Sequence, residues 1–297
     1  MIFLIGSILL SSYLTIAFKL CDRFGVNKFQ AIVFNYLACA FTGSVVTGSL
    51  PEFGENIGQE WFLWSLLLGA SFIVIFNLIA MTVQKSGLAI ASVASKLSLI
   101  IPFGFSLFLY NEDAAVFKIA GVLLALVAVV LTLYPNKVAG SDNLDSTGGF
   151  NFQKILLPVI VFITTGLLDT LIKYVEQNFI TKSNNDQYLI SSFSVAFLLG
   201  FLFLILQLVR GKIKFQSKSV LVGFLIGIPN YFSIWCLIKV LKAYGDISSV
   251  IIPVNNMGIV LFSALVAWLF FKEKLSRVNW MVIVLAIVSI LIIAFGK

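Results

Sequence analysis

Apolar residues run along this chain in ten stretches of about 20, separated by short polar connections, at 2–20, 29–50, 61–83, 88–110, 115–134, 155–177, 187–209, 218–241, 247–271 and 277–296. The stretches are barely amphipathic, unlike the half-polar surface helices of a soluble domain. About 20 apolar residues cross a hydrocarbon core of roughly 30 Å. Backbone groups cannot go unpaired in lipid, so each stretch predicts a transmembrane helix. A β-barrel would need segments of about 10 residues alternating apolar and polar, and these runs lack that pattern. The longest connection, Pro135 to Lys154 (PNKVAGSDNLDSTGGFNFQK), is rich in Gly, Ser, Asn and Asp. It reads as a linker at 136–154 between a first unit, 1–135, and a second, 155–297, with five predicted helices each.

The two units echo one another. Gly87 to Glu112 reads GLAIASVASKLSLIIPFGFSLFLYNE, and Gly245 to Glu273 reads GDISSVIIPVNNMGIVLFSALVAWLFFKE. A glycine stands 18 residues before each copy, at Gly69 and Gly227. The following runs align as well, LALVAVVL from Leu124 to Leu131 and LAIVSILI from Leu285 to Ile292. One module of about 140 residues used twice accounts for this. Because five is odd, the two copies insert in opposite orientations, which is the inverted-repeat plan of many secondary transporters.

Composition agrees with lipid as the solvent. The chain is 60% hydrophobic, 11% charged, with a mean hydropathy of +1.06, against about 25% charged residues in a soluble domain. The net charge of +7 sits in short loops, as a topology signal, and forms no basic groove for nucleic acid. Thirteen Lys and Arg fall on the side of the loops after the odd-numbered helices, six on the other side, and Lys96 inside a helix. The positive-inside rule then places both termini outside the cytoplasm. Cys21, Cys39 and Cys236 make no metal spacing, and there is no histidine, so neither a metal nor a cofactor is expected. No Walker-type glycine loop is present, which argues against ATP-driven pumping. An enzyme acting on membrane substrates would need clustered carboxylates in a loop, and none is found. The N-terminus has no positive segment before its apolar run and reads as a first span, not a removed signal.

The runs SGLAIASVASKLSLIIPFGFSLFLYNEDAAVFKIAGVLLALVAVVL and WLFFKEKLSRVNWMVIVLAIVSILII resemble the EamA family of the drug/metabolite transporter superfamily. In that family the fourth and ninth helices end in an acidic turn and the next helix follows at once. Glu112 and Glu273 stand at those turns. The resemblance implies ten transmembrane helices as two inverted five-helix repeats, in a bacterial cytoplasmic (inner) membrane. It implies export or exchange of amino acids, purines, sugars or sugar nucleotides through a central cavity with alternating access. It also implies cytoplasmic termini, opposite to the charge count. Pro102 stands 10 residues before Glu112 and Pro253 stands 20 before Glu273, so the kinks depart from the family's mid-helix position.

Ionisable and amide side chains inside the runs are the candidates for chemistry. Lys96 lies about 12 Å into the fourth helix at 1.5 Å per residue. A central lysine costs roughly 2.5–3.5 kcal/mol and needs a partner or a wet cavity. It either holds a substrate carboxylate or phosphate, or pairs with Asp169, or snorkels. Asp169, one turn before Lys173, either pairs with it, neutralises Lys96, or carries a proton in coupled transport. Asn255 and Asn256 follow Pro253 and face either substrate or the backbone freed by a kink. Asn77, Asn230 and Asn35 are further intramembrane amides, either ligand contacts or ties between helices. Trp235, Tyr231 and Tyr13 either line a cavity or pack. Lys239 is expected to snorkel. Gly223 and Gly227 form a GxxxG that predicts a close helix contact, and Glu112 and Glu273 are expected to end helices at the water interface. The expected function is a secondary transporter of a small polar metabolite, an amino acid or related anionic or zwitterionic compound. Its partners are that substrate and the bilayer, with Lys96, Asn255, Asn256, Asn77, Asn230, Trp235 and Tyr231 around the substrate. The alternative on the same fold is a multidrug or lipid-type exporter with an apolar cavity.

Overall fold

The computed structural model describes residues 2–50, 53–102, 104–105, 116–132, 152–180, 184–243, 248–273 and 275–295. Its elements are all helices: α1 (Ile2–Arg23), α2 (Lys28–Thr47), α3 (Phe53–Asn56), α4 (Glu60–Ser86), α5 (Leu88–Leu97), α6 (Val116–Thr132), α7 (Phe152–Phe179), α8 (Asn185–Val209), α9 (Ser217–Ala243), α10 (Ser248–Leu269) and α11 (Arg277–Phe295). Apart from α3, a single turn, each lies on one of the apolar runs. Local chemistry sets several boundaries. The Asn27 side chain accepts a hydrogen bond from the Gln30 N–H at 3.1 Å, capping α2 at its start. Gly48, at φ 69°, ends it in the left-handed region. Gly87, at φ 95° and ψ 161°, lets α4 turn directly into α5.

The fourth helix departs from expectation. The apolar run predicts one helix over 88–110, yet α5 stops at Leu97 and the chain makes a turn at Ser98 and Leu99 before helical residues resume at Ile100. Pro102 is the cause. It has no N–H to give the Ser98 carbonyl, and its ring crowds that carbonyl. The Ile101 N–H bonds the Ser98 carbonyl instead, at 2.9 Å. The Ser98 hydroxyl donates to the Ser95 carbonyl at 2.7 Å.

α1, α2, α4, α8 and α9 are long and apolar enough to cross a membrane. Large apolar side chains stand exposed in the middle of helices; α8 alone exposes Leu198, Leu199, Phe201, Leu202, Phe203 and Ile205. Water does not tolerate a contiguous patch of that kind on a monomer, and lipid does. The protein is an α-helical membrane protein. Its core is aromatic. Tyr36 stacks on Phe72 with centroids 6.0 Å apart, Phe72 stacks on Phe193 at 5.5 Å, and the Tyr36 hydroxyl donates to the Phe72 carbonyl at 2.9 Å.

Glycines bring helices together where expected. A Cβ on Gly223 would lie 2.5 Å from Phe34 Cβ, and one on Gly227 would lie 2.5 Å from Ala38 Cβ. The GxxxG face of α9 is thus laid directly on α2. Across the same seam the Asn230 amide donates to Asn35 Oδ1 at 3.2 Å, and the Cys39 thiol donates to the Gly227 carbonyl at 3.3 Å. Gly69 holds α4 against α8 in the same way, since its Cβ would meet the Ser192 carbonyl at 2.6 Å.

Candidate functional site

The two ends of the bundle differ. At one end lie the end of α1, the start of α2, the α4–α5 turn, the α8–α9 connection and the turn after α10. Lys19, Arg23, Lys28, Lys85, Arg210, Lys212, Lys214, Lys218, Lys272 and Arg277 fall there, and we call it the basic end. Polar contacts join distant segments there. The Asn27 N–H donates to Gln216 Oε1 at 2.9 Å, the Gln216 N–H to Gln30 Oε1 at 2.9 Å, and Gln30 Nε2 to the Lys214 carbonyl at 2.7 Å. The Lys19 ammonium meets Glu273 at 3.1 Å.

At the opposite end the helices part around a cavity of about 210 Å³. Val46 and Thr47 close α2 on one side, Asp186, Leu189 and Phe193 come from the start of α8, and Tyr231, Ile234, Trp235, Ile238 and Lys239 from α9. Tyr231 is buried, at the inner part of this set. It fits there because α2 has Gly43 beside it; a Cβ on Gly43 would lie 3.0 Å from the Tyr231 ring. Trp235 is held edge-to-face by Phe3 at 5.6 Å and by Phe232 at 6.1 Å. The Lys239 ammonium, one turn further, sits 5.1 Å from the Trp235 ring centre, within reach of a cation–π attraction. Asp186, from the start of α8, supplies the opposite charge in the lining. The cavity is below the 300–1,000 Å³ typical of pockets for drug-sized ligands, so what fits it is small.

The expected site residues do not gather in one place. Tyr231 and Trp235 line the cavity. Lys96 and Asp169 lie elsewhere, within electrostatic reach of each other, at the break in the fourth helix. There α7 approaches through Gly166, where a Cβ would meet the Ser98 carbonyl at 2.8 Å and Ile101 Cβ at 2.7 Å. Asn230 is bonded to Asn35 across the α2–α9 seam. Asn77 donates to the Ile73 carbonyl of its own helix at 2.6 Å. Asn255 is buried in α10, and its Oδ1 has no partner among the described residues. Asn256 is half-buried. Glu112 lies outside the described residues. No group of three metal-ligating side chains occurs among the described residues.

Asp186 and Lys239 are cavity residues that the sequence reading did not select. Asp186 is an ordinary first-turn acid of a helix, where the backbone dipole favours it, and nothing local distinguishes it. Lys239 did carry a signal. It follows Trp235 by four residues, which puts both on one helix face.

No family model matches the sequence. The chain is 27% identical over 293 residues to a protein of Haemophilus influenzae described as uncharacterized, covering 97% of this chain and 95% of that protein. The fold is similar to that of a solved crystal structure at a TM-score of 0.60 and 16% identity, over 98% of this chain and 94% of the other.

Proposed function

We propose that this protein is a secondary transporter of a small zwitterionic or anionic metabolite, of the amino-acid class. The cavity carries the reading: Asp186 of α8 and Lys239 of α9 both line it and offer opposite charges, with Tyr231 and Trp235 for an apolar body. Opening at one end and polar closure at the other is what alternating access requires of one state. The helix pairings support two inverted five-helix repeats, ten transmembrane helices in all. α2 packs on α9 and α8 on α4, α1 packs on α9 and α7 on α4, and α1 packs on α10 and α7 on α5. Each pair maps onto its counterpart when the halves at 1–135 and 155–297 are exchanged. The resemblance to the EamA family points the same way, and to a bacterial cytoplasmic membrane. Lys96 beside Asp169 at a broken helix is the second polar locus, in keeping with the discontinuous helices of transporter binding sites. Asp169 is the candidate for proton coupling.

A thermal-shift panel on the detergent-purified protein tests this, with amino acids, simple carboxylates, amines and hydrophobic cations as probes. A compound that binds the folded state at 100 times its Kd stabilises it by about 2.7 kcal/mol. The expected result is stabilisation by zwitterionic or anionic compounds that is lost in Lys239→Gln and Asp186→Asn. Stabilisation by hydrophobic cations alone, unchanged in those variants, would refute the metabolite reading and favour the multidrug alternative.

A further inference from the structure

Glu273 stands where three distant segments meet at the basic end. It lies in the turn after α10. Its Oε1 accepts from the Lys19 ammonium of α1 at 3.1 Å and from the Leu88 N–H, the first of α5, at 3.1 Å. Its Oε2 lies 3.1 Å from where a Cβ on Gly87 would stand. Gly87 is at φ 95°, so a side chain there would be strained as well as crowded against the carboxylate. One carboxylate thus ties the second half of the chain to two elements of the first, meeting a cation and the positive end of a helix backbone together.

We propose that Glu273 is the latch of the basic end. The Lys19–Glu273–Leu88 contact holds that end closed while the Asp186/Lys239 cavity is open at the other, and it parts when the cavity turns toward the basic end. This rests on the transporter reading of that cavity. The contact suits a latch because it is only partly buried, with side-chain exposures of 28% for Lys19 and 17% for Glu273. Both charges lie at helix ends with part of each side chain exposed, so they can return to water when they separate. A pair that keeps this much contact with solvent is cheaper to separate than a fully buried one. A second ion pair described at this end, Lys28 with Asp22, joins the two sides of the α1–α2 turn and not the two halves.

The chain carries its own reporter. Cys21 is buried, two residues past Lys19, and the only other cysteines are Cys39 and Cys236. With Cys39 and Cys236 replaced by alanine, the rate at which a small polar maleimide modifies Cys21 reads the open population of the basic end. Glu273→Gln and Lys19→Gln are each expected to raise that rate by about fivefold, the population change that roughly 1 kcal/mol brings. Using both variants separates gating from electrostatics. Removing a negative charge beside a thiol favours the thiolate and removing a positive one disfavours it, so a mere field effect moves the two rates in opposite directions. That result would overturn the latch, as would no change in either. A matching protein keeping only Cys236, which packs 3.3 Å from a Cβ placed on Gly6 of α1, controls for unfolding. Equal acceleration at Cys236 would mean general loosening and would also overturn it. The labelling needs no substrate, so its failure leaves the ligand panel above as an independent test of transport.

Discussion

Gly227→Ala is the sharpest test of how the two halves are joined. The new methyl would lie 2.5 Å from Ala38 Cβ, with the Asn35 carbonyl carbon at 3.1 Å. Both neighbours are backbone or attached directly to it, so no side chain can rotate away. The α2–α9 seam must widen. Overpacking of this kind costs about 1–3 kcal/mol. Widening also strains the Asn230–Asn35 bond, and such interhelical bonds average about 0.6 kcal/mol in membranes. The total is about 2–4 kcal/mol. At roughly 2–4 °C per kcal/mol for a chain of comparable size, the melting temperature in detergent should fall by about 4–16 °C. Gly58→Ala is the control, because a Cβ there meets nothing within 4 Å. Ala38→Gly in the Gly227→Ala background should recover part of the loss by removing the facing methyl. Melting within about 1 °C of the parent, with no effect of Ala38→Gly, would refute the direct helix contact, since even mild overpacking exceeds that shift.

Lys96→Ala should lower stability, because it removes the cation that acts on Asp169, and Lys96→Ala with Asp169→Asn should recover part of that loss, a coupling of about 0.5–3 kcal/mol. Chemical denaturation of the singles and the double would show it; additive losses would mean that the two charges are independent. Lys239→Gln and Asp186→Asn should each weaken binding of a zwitterionic ligand by about tenfold or more, since a charge-assisted contact of about 1.4 kcal/mol is worth that factor. Titrations followed by tryptophan fluorescence, with Trp235 in the cavity wall, would measure it. Pro102→Ala should raise the melting temperature, because a proline inside a helix costs about 3 kcal/mol, while lowering turnover in proteoliposomes by holding the fourth helix straight. Unchanged turnover would mean that the break is not used in transport.

The helices were legible because lipid leaves few choices. A run of about 20 apolar residues must satisfy its own backbone, so the sequence alone places α1 at 2–20 against the observed Ile2–Arg23, and α8 at 187–209 against Asn185–Val209. The GxxxG at Gly223 and Gly227 was legible for a related reason: where both helices are equally apolar, close approach is what distinguishes a contact face. The break at Ser98 shows the limit of that logic. Hydropathy continues through Pro102 without change, and only the missing N–H, a matter of one backbone bond, interrupts the helix. Cavity residues are harder still. Asp186 and Lys239 are separated by 53 positions, and although Lys239 shares a helix face with Trp235, nothing local points to Asp186; what brings them to one cavity is that α8 begins at the end of the bundle where α9 ends. Glu273 is the intermediate case. Its place in a repeated turn marked it as structural, and the sequence put it at the water interface. Its two partners, Lys19 and the Leu88 N–H, come from the other half of the chain, and only the packing of α10 beside α1 and α5 turns a helix-ending acid into a contact between halves. Contacts between the halves therefore rest on a few polar groups whose partners lie on the other side of the linker, such as Glu273 with Lys19, and only the packing of distant helices makes them visible.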